Sequence, residues 1–244
     1  MARLFQVAIA GLAVQASFGP DRRQGLGVGT MLAPAADLWP TLEDRRRFLL
    51  RHLENFNTNP AMAGPLMGAV VRFEELAAAG DVEALERLIK LKRGLEGPFA
   101  AAGDRLLWVG IRSCAAVVGG IVGWMAGGAW AVFCFLVLYN IVHLGIRLGG
   151  VFWGYRHAEQ VHELLRSPLI LGLTRVSGWV LLTGGLVLAS MVLVSTGAPR
   201  WSAPLVLVIG WGIGSRGDVR GTPVAAGGIL VGLILAYGLG SEGP

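Results

Sequence analysis

Asp104 is the first residue that invites a chemical reading. It follows Gly103 in the stretch GPFAAAGDRLLWVGIR, residues 97 to 112. With Arg105 and Arg112 it stands at the mouth of a segment, Ser113 to Ile146, that contains no Asp, Glu, Lys or Arg. Charged groups at the edge of hydrocarbon are costly unless they face a cavity, a partner or water, so this trio marks a membrane segment with work to do. Asp104 can accept hydrogen bonds from a polar ligand, or it can pair with Arg105 or Arg112 at a subunit interface. His52 is the other group with reaction chemistry, because an imidazole can carry phosphate. A single histidine on a charged helix is more ordinarily a solvated or paired side chain. Cys114 and Cys134 lie in apolar sequence without Cys or His partners at ligand spacing, so neither a structural disulfide nor a metal site is expected. The glycine-rich run GLGVGT at 25 to 30 lacks the lysine and flanking strand of a phosphate-binding loop, and no nucleophile triad is present. The chain alone is not expected to be an enzyme or to hold a cofactor.

The composition sets these residues in a membrane protein. Hydrophobic residues make up 54% and charged residues 15%, with 37 glycines in 244 residues, which excludes an ordinary water-soluble globule. The net charge of +5 does not point to nucleic acid, because the arginines are interspersed with acidic residues or sit in short loops between apolar runs. Residues 1 to 112 hold 14 of the 21 Lys/Arg and 12 of the 16 Asp/Glu. The expected organisation is therefore a polar, helical, partly membrane-associated region over 1–112 and a transmembrane region over 113–244. Together they make an all-α integral membrane protein. Its charged half has room for re-entrant hairpins, and Gly-rich transmembrane helices follow. The apolar run from Arg3 to Val14 has no convincing cleavage site after it and is expected to stay in the mature chain.

Along the charged half, residues 1 to 40 alternate apolar runs with Gly and Pro, which suits an interfacial or re-entrant hairpin. Thr41 and Asp44 resemble a capping box with Asp in place of Glu. Leu49, Leu53 and Phe56 then share one helical face, so the spacing predicts a helix of about four turns ending near Asn57. After Pro60 and Pro65 an Ala-rich helix runs to a stop at Gly80. Asp81 can cap a further helix that turns Val82, Leu85, Leu88 and Ile89 inward and Glu83, Glu86, Arg87 and Lys90 outward. Lys90, Lys92 and Arg93 read as a cytoplasmic border.

The uncharged stretch from Ser113 to Ile146 would span about 50 Å as one helix against about 30 Å of hydrocarbon. It is therefore expected to break, either as a helix with a re-entrant half or as two short spans joined near Gly127 and Gly128. Its other glycines permit close helix packing. Tryptophans 108, 124, 130, 153, 179, 201 and 211 mark boundaries and packing.

Three blocks of sequence, in order, resemble the IID membrane component of mannose/fructose/sorbose-type phosphotransferase systems. RHLENFNTNP, from Arg51 to Pro60, is similar to the family's RHLEFFNT-x-P signature and continues into Gly64, Pro65, Gly68, Glu74 and Glu75. Gly97, Pro98, Ala100, Gly103, Asp104, Trp108 and Arg112 match the family's GP-x-A-G-x-GDP-x-x-W-x-x-x-RP block. Gln15, Ser17, Arg22, Gln24, Leu26 and Gly27 resemble its Q-x-SWN-x-E-R-M-Q-x-LG pattern. A fainter match covers Asn140, Arg147, Gly154 and Tyr155, so the resemblance runs over about residues 12 to 157. The chain departs from the pattern at Phe18, Gly19 and Pro20, at Arg105 in place of Pro, and at Ser113 in place of Pro. It also lacks a long polar insertion between the last apolar segments, as a compact member would.

The resemblance implies a multi-pass protein of the bacterial inner membrane that pairs with a IIC subunit, in a higher oligomer of the IIC/IID pair that conducts a hexose across the lipid bilayer.

 IIA and IIB subunits relay phosphate to the sugar, and no phosphorylated residue is expected in this chain. Candidate sugar contacts in such a unit are Asn57, Thr58, Asp104, Gln15, Ser17 and Gln24, whose amide, hydroxyl and carboxylate groups suit sugar hydroxyls; Asn57 and Thr58 can equally cap the helix end and hold the turn, and Gln15, Ser17 and Gln24 can pack between helices. The departures leave a second expectation open, a non-transporting scaffold or signalling component of a degenerate phosphotransferase system.

Further apolar segments lie at residues 176 to 195, 203 to 214 and 224 to 240, with Arg147, Arg156, Arg166 and Arg175 before the first and Arg216 and Arg220 before the last. The positive-inside rule makes both arginine-rich loops cytoplasmic, and three crossings then carry Ser241 to Pro244 outside. Labelling of single cysteines introduced in the loop from Arg216 to Arg220 is expected to require a membrane-permeant reagent; labelling from outside would reverse the orientation.

Overall fold

The computed structural model describes residues 1–197. The apolar segments at 203 to 214 and 224 to 240, the Arg216 to Arg220 loop and the C-terminus lie outside the described residues. The described chain is helical throughout: α1 (Ala2–Ala10), α2 (Gly25–Leu32), α3 (Leu42–His52), α4 (Ala63–Ala78), α5 (Ala84–Gly103), α6 (Arg112–Ala126), α7 (Gly128–Leu144), α8 (Gly150–His157) and α9 (Pro168–Ser195). Tight 3₁₀ turns cover Gly11–Ala13, Ala33–Leu38 and Ala158–Arg166, and wider π turns cover Asp104–Ile111 and Gly145–Gly149. Among the described residues no strand forms, only two isolated bridges, Gly19 to Arg23 and Arg23 to Phe56.

Local chemistry accounts for some of the helix ends. Thr41 Oγ1 accepts from the Asp44 backbone N–H at 3.1 Å and donates to the Asp44 carboxylate at 2.6 Å, so the expected N-cap forms, with Asp44 turned to the Thr41 hydroxyl instead of its backbone N–H. α3 then stops at His52, about a turn short of Asn57. The cause is tertiary. Phe56 leaves the helical path because its carbonyl accepts from Gln24 N–H at 2.8 Å and its N–H donates to Arg22 at 3.4 Å. The buried face of α3 is accordingly Phe48 and His52. α4 ends as expected before Gly80, whose φ of +101° only glycine adopts without strain.

α5 differs from expectation in which side is buried. Asp81 accepts from Glu83 N–H at 3.0 Å, so its cap sits on the turn before the helix, and α5 begins at Ala84. Ala84 and Leu88 face inward while Val82 and Ile89 are exposed. Arg87, expected outside, folds back to pair with Asp81, reaches Glu159 at 2.6 Å and lies over the Phe73 ring. Lys92 is buried rather than a border residue, its ammonium 5.5 Å from the centre of the Phe56 ring.

The compact units do not follow the chain's charge asymmetry. One unit takes Met1–Asp104 and adds Asn140–Ser167; the other takes Arg105–Tyr139 and the described chain from Pro168. The core of the first unit is a crossing of α4 with α8 in which glycines meet on both sides. A β-carbon at Gly64 would fall 2.2 Å from the Arg147 carbonyl oxygen, at Gly68 2.0 Å from that of Val151, and at Gly154 1.8 Å from that of Pro65. Two small-xxx-small pairs, Gly64 with Gly68 and Gly150 with Gly154, thus bring the helix backbones into contact, where dispersion replaces the missing side chains.

In the second unit the uncharged stretch breaks at Gly127, where φ is +98°, so α6 and α7 are two short helices joined at that point. Gly123 makes room for Ala131 between them, and Gly184 of α9 makes room for Val117 of α6. No residue of α7 is buried. An apolar helix without a buried face presents hydrocarbon to its surroundings all round, as a lipid-facing or partner-facing helix does. Two helical runs, Ala84–Ala126 and Gly128–Ser195, are long and apolar enough to cross a membrane.

The glycine crossing gives a paired test. Gly154→Ala is expected to cost about 3 kcal/mol or to abolish folding, because the obstructing atoms are backbone. Gly94→Ala, on an α5 surface with open space around it, is expected to stabilise by about 0.5–1 kcal/mol. Thermal unfolding of the two variants in detergent measures the contrast, and equal melting temperatures would contradict it.

Candidate functional site

The loop that follows α3 is held by side chains standing in for a strand. Gln24 is fully buried; its amide nitrogen donates to the Thr58 carbonyl at 2.6 Å and its amide oxygen accepts from the Thr58 N–H at 2.9 Å. One side chain therefore satisfies both backbone groups of a buried residue, which would otherwise cost about 1–3 kcal/mol for each group left unpaired. On the α5 side, Glu96 accepts from the Asn57 N–H at 2.6 Å through its carboxylate and from the Thr58 hydroxyl at 3.2 Å through its carbonyl.

Asn59 completes the chain of contacts. Its side chain is almost wholly buried, its oxygen accepts from the Ala61 N–H at 3.1 Å, and its nitrogen donates to Asp104 Oδ1 at 2.9 Å. Gly103 makes this approach feasible, since a β-carbon there would lie 2.4 Å from Asn59 Cβ. Asp104 itself is exposed and opens the π turn Asp104–Ile111, a backbone form found often at functional positions.

Of the residues picked out from sequence, the structure gathers Asn57, Thr58, Asp104 and Gln24 around this loop. It does not gather Gln15 and Ser17. Gln15 is exposed and Ser17 half-buried on the turn before Gln24, and among the described residues neither side chain bonds to Asp104, Asn57 or Thr58. Asn59 and Glu96 escaped the sequence reading. An Asn ahead of Pro60 and two residues before Ala61 is a recognisable turn signal, whereas nothing in sequence spacing ties Glu96 to Asn57.

Beneath the loop lies a second buried polar cluster. Glu74, with no exposed surface, accepts from Arg51 at 2.6 and 2.8 Å, from His52 Nε2 at 2.9 Å and from Trp39 Nε1 at 2.9 Å. Burial alone would raise the Glu74 pKa, but the hydrogen bonds from Arg51 and His52 overcome it and hold the carboxyl at about 2. His52 is also fully buried, and burial pushes its pKa down against the pull of Glu74. A neutral imidazole fits, since among the described residues Nδ1 has no hydrogen-bond partner to which a second ring proton could be donated. His52 is therefore paired and enclosed, with no solvent face on which to take phosphate.

The residues of the fainter sequence block serve the same unit. Arg147 donates to the carbonyls of Gly11 and Leu12 at 2.9–3.1 Å, at the end of the first helix. Tyr155 hydrogen-bonds Glu75, which also accepts from Arg72 at 2.8 Å.

Fold and site define a class: an all-α integral membrane protein whose polar loop is locked beside an exposed carboxylate at the head of an apolar helix. The sequence profile of the PTS system mannose/fructose/sorbose family IID component matches residues 2–209, and the chain belongs to that family. The chain is 36% identical over 143 residues to the mannose-specific EIID component of Escherichia coli K12, covering 58% of this chain and 50% of that one. It is 32% identical over 161 residues to the sorbose-specific EIID component of Klebsiella pneumoniae, covering 66% and 58%. The fructose permease IID component of Bacillus subtilis is 29% identical over 172 residues, covering 70% and 62%. The chain thus spans about half the length of the mannose-specific relative. A cryo-EM structure of the mannose transporter ManYZ in complex with microcin E492 is similar at a TM-score of 0.61 and 29% identity, over 78% of this chain and 70% of that one.

The Glu74 cluster predicts an acid limb in stability. Glu74 titrates near 4.5 unfolded and near 2 folded, and His52 titrates below its ordinary 6.5 when folded. In both cases the unfolded chain binds more protons, so stability is full above pH 6.5 and declines as pH falls, first through His52 and then through Glu74. The Glu74 contribution is about 3 kcal/mol. Melting temperatures in detergent are expected to drop between pH 7.5 and pH 5 and further below pH 4.5; a flat profile over that range would contradict the cluster.

Proposed function

We propose that this chain pairs with a IIC subunit to translocate a hexose across the bacterial inner membrane as a multi-pass protein, with IIA and IIB subunits supplying phosphate. In this reading residues 1–112 carry the recognition groups and residues 113–244 the membrane anchor. The IIC/IID pair assembles into a higher oligomer. The chain itself is not phosphorylated, in keeping with the enclosure of His52.

The observation that carries the reading is Asp104, an exposed carboxylate with one oxygen bonded to Asn59 and the other without a hydrogen bond among the described residues, open to a sugar hydroxyl. Family membership supports it, as do the names of the relatives, which are specific for mannose, sorbose or fructose. Gln24 and Thr58 act at one remove, because their polar groups are engaged in holding the loop. Asn57 uses its backbone N–H toward Glu96, which leaves its amide side chain for the sugar.

Co-expression with the IIC partner, purification of the complex and calorimetry with mannose, fructose and sorbose test the proposal. At least one of these sugars is expected to bind. Asp104→Asn keeps size and hydrogen-bonding capacity but removes the charge. It is expected to weaken binding at least tenfold, about 1.4 kcal/mol, without loss of assembly. Failure of all three sugars to bind the intact complex would favour a scaffold that moves no sugar.

A further inference from the structure

Asn59 occupies the variable position of the RHLENFNTNP block, between Thr58 and Pro60, yet its side chain is 3% exposed and bonded at both ends. We infer that Asn59 is a positioning residue that fixes the Asp104 carboxylate and leaves only Oδ2 for the ligand, through the 2.9 Å hydrogen bond from Asn59 Nδ2 to Asp104 Oδ1. This rests on the proposed reading of Asp104 as a sugar contact.

Three observations carry the inference. The Asn59 amide cannot swing, because its oxygen is held by the Ala61 N–H and its β-carbon is pressed against Gly103. It therefore presents Nδ2 from a fixed point, and a donor fixed on both sides sets the rotamer of the acceptor it meets. Asp104 needs such help, since it is exposed and would otherwise sample several rotamers. Finally, the platform beneath Asn59 is rigid: the residue before it is clamped by Gln24 on one side and Glu96 on the other. Glu96 of α5 is engaged with Asn57 rather than with Asn59 or Asp104, and Glu54, on the loop itself, faces Arg93 at 3.6 Å.

Asn59→Asp separates the two duties of the side chain. It keeps an oxygen for the Ala61 N–H, so the turn stays, but it replaces the donor facing Asp104 by a second carboxylate. Two carboxylates at hydrogen-bond distance share a proton, so one of them takes up its proton at higher pH. Carbodiimide labelling of residues 59 and 104, read by mass spectrometry on the full chain in its IIC complex, is expected to set in on one of the pair in the variant at least one pH unit higher than at residue 104 in wild type. A structural role alone would not move that profile, and an unchanged profile overturns the contact. Affinity for the sugar that wild type binds most tightly is expected to fall at least tenfold at pH 7.5 and to recover on acidification, with the melting temperature of the complex little changed. Normal affinity in Asn59→Asp beside weakened affinity in Asp104→Asn would overturn the positioning role. Normal affinity in Asp104→Asn would instead remove the underlying reading of the site, and the inference with it.

Discussion

A carboxylate sealed from water, Glu74, sets the terms for the rest of the first unit. Removing such a charge from solvent costs several kcal/mol unless its hydrogen-bonding capacity is filled, and Glu74 fills it with Arg51, His52 and Trp39. Those partners come from the turn before α3 and from the end of α3, so their convergence fixes where α3 stops and in which direction the chain leaves it. The loop from Phe56 to Pro60 starts from that point. Gln24 and Glu96 then hold the loop, Asn59 projects from it, and Asp104 is met at a defined distance. Each step depends on the one before, and the first of them is the neutralisation of one buried charge.

The second constraint is spatial. α4 carries Glu74 on one side and the glycine pair 64 and 68 on another, and α8 lies against those glycines with its own pair. Close backbone contact leaves no slack for α4 to rotate about its axis, which keeps Glu74 pointed at α3. Tyr155 and Arg72 secure Glu75 on the next position of the same helix. Packing without side chains and hydrogen bonding without water thus act on the same helix and restrict it in complementary ways.

Much of this architecture was legible in the amino-acid order. The N-cap at Thr41, the stop at Gly80 and the break at Gly127 are local events governed by residues within a turn of one another, and all three appear where the sequence puts them. The grouping of Asn57, Thr58, Gln24 and Asp104 was legible through the family pattern. What could not be read were contacts that bridge distant segments. The early end of α3 comes from pairing with a loop some thirty residues earlier, and the folding back of Arg87 and the burial of Lys92 come from partners that local periodicity treats as unrelated. Gln15 and Ser17 show the converse, since membership of a motif did not bring their side chains to the loop.

The latch between Arg147 and the carbonyls of Gly11 and Leu12 has a consequence in time. The two ends are 136 residues apart in the chain. At a synthesis rate of about 5–20 residues per second, the first helix waits about 7–27 s for its partner to leave the ribosome. The hairpin of α6 and α7 emerges during that interval, and it is among the apolar runs able to enter the bilayer. The first helix can settle early against α2 and the Ala33–Leu38 turn, where Arg3 pairs with Asp37, but its C-terminal carbonyls gain the Arg147 latch only after the apolar hairpin has been synthesised.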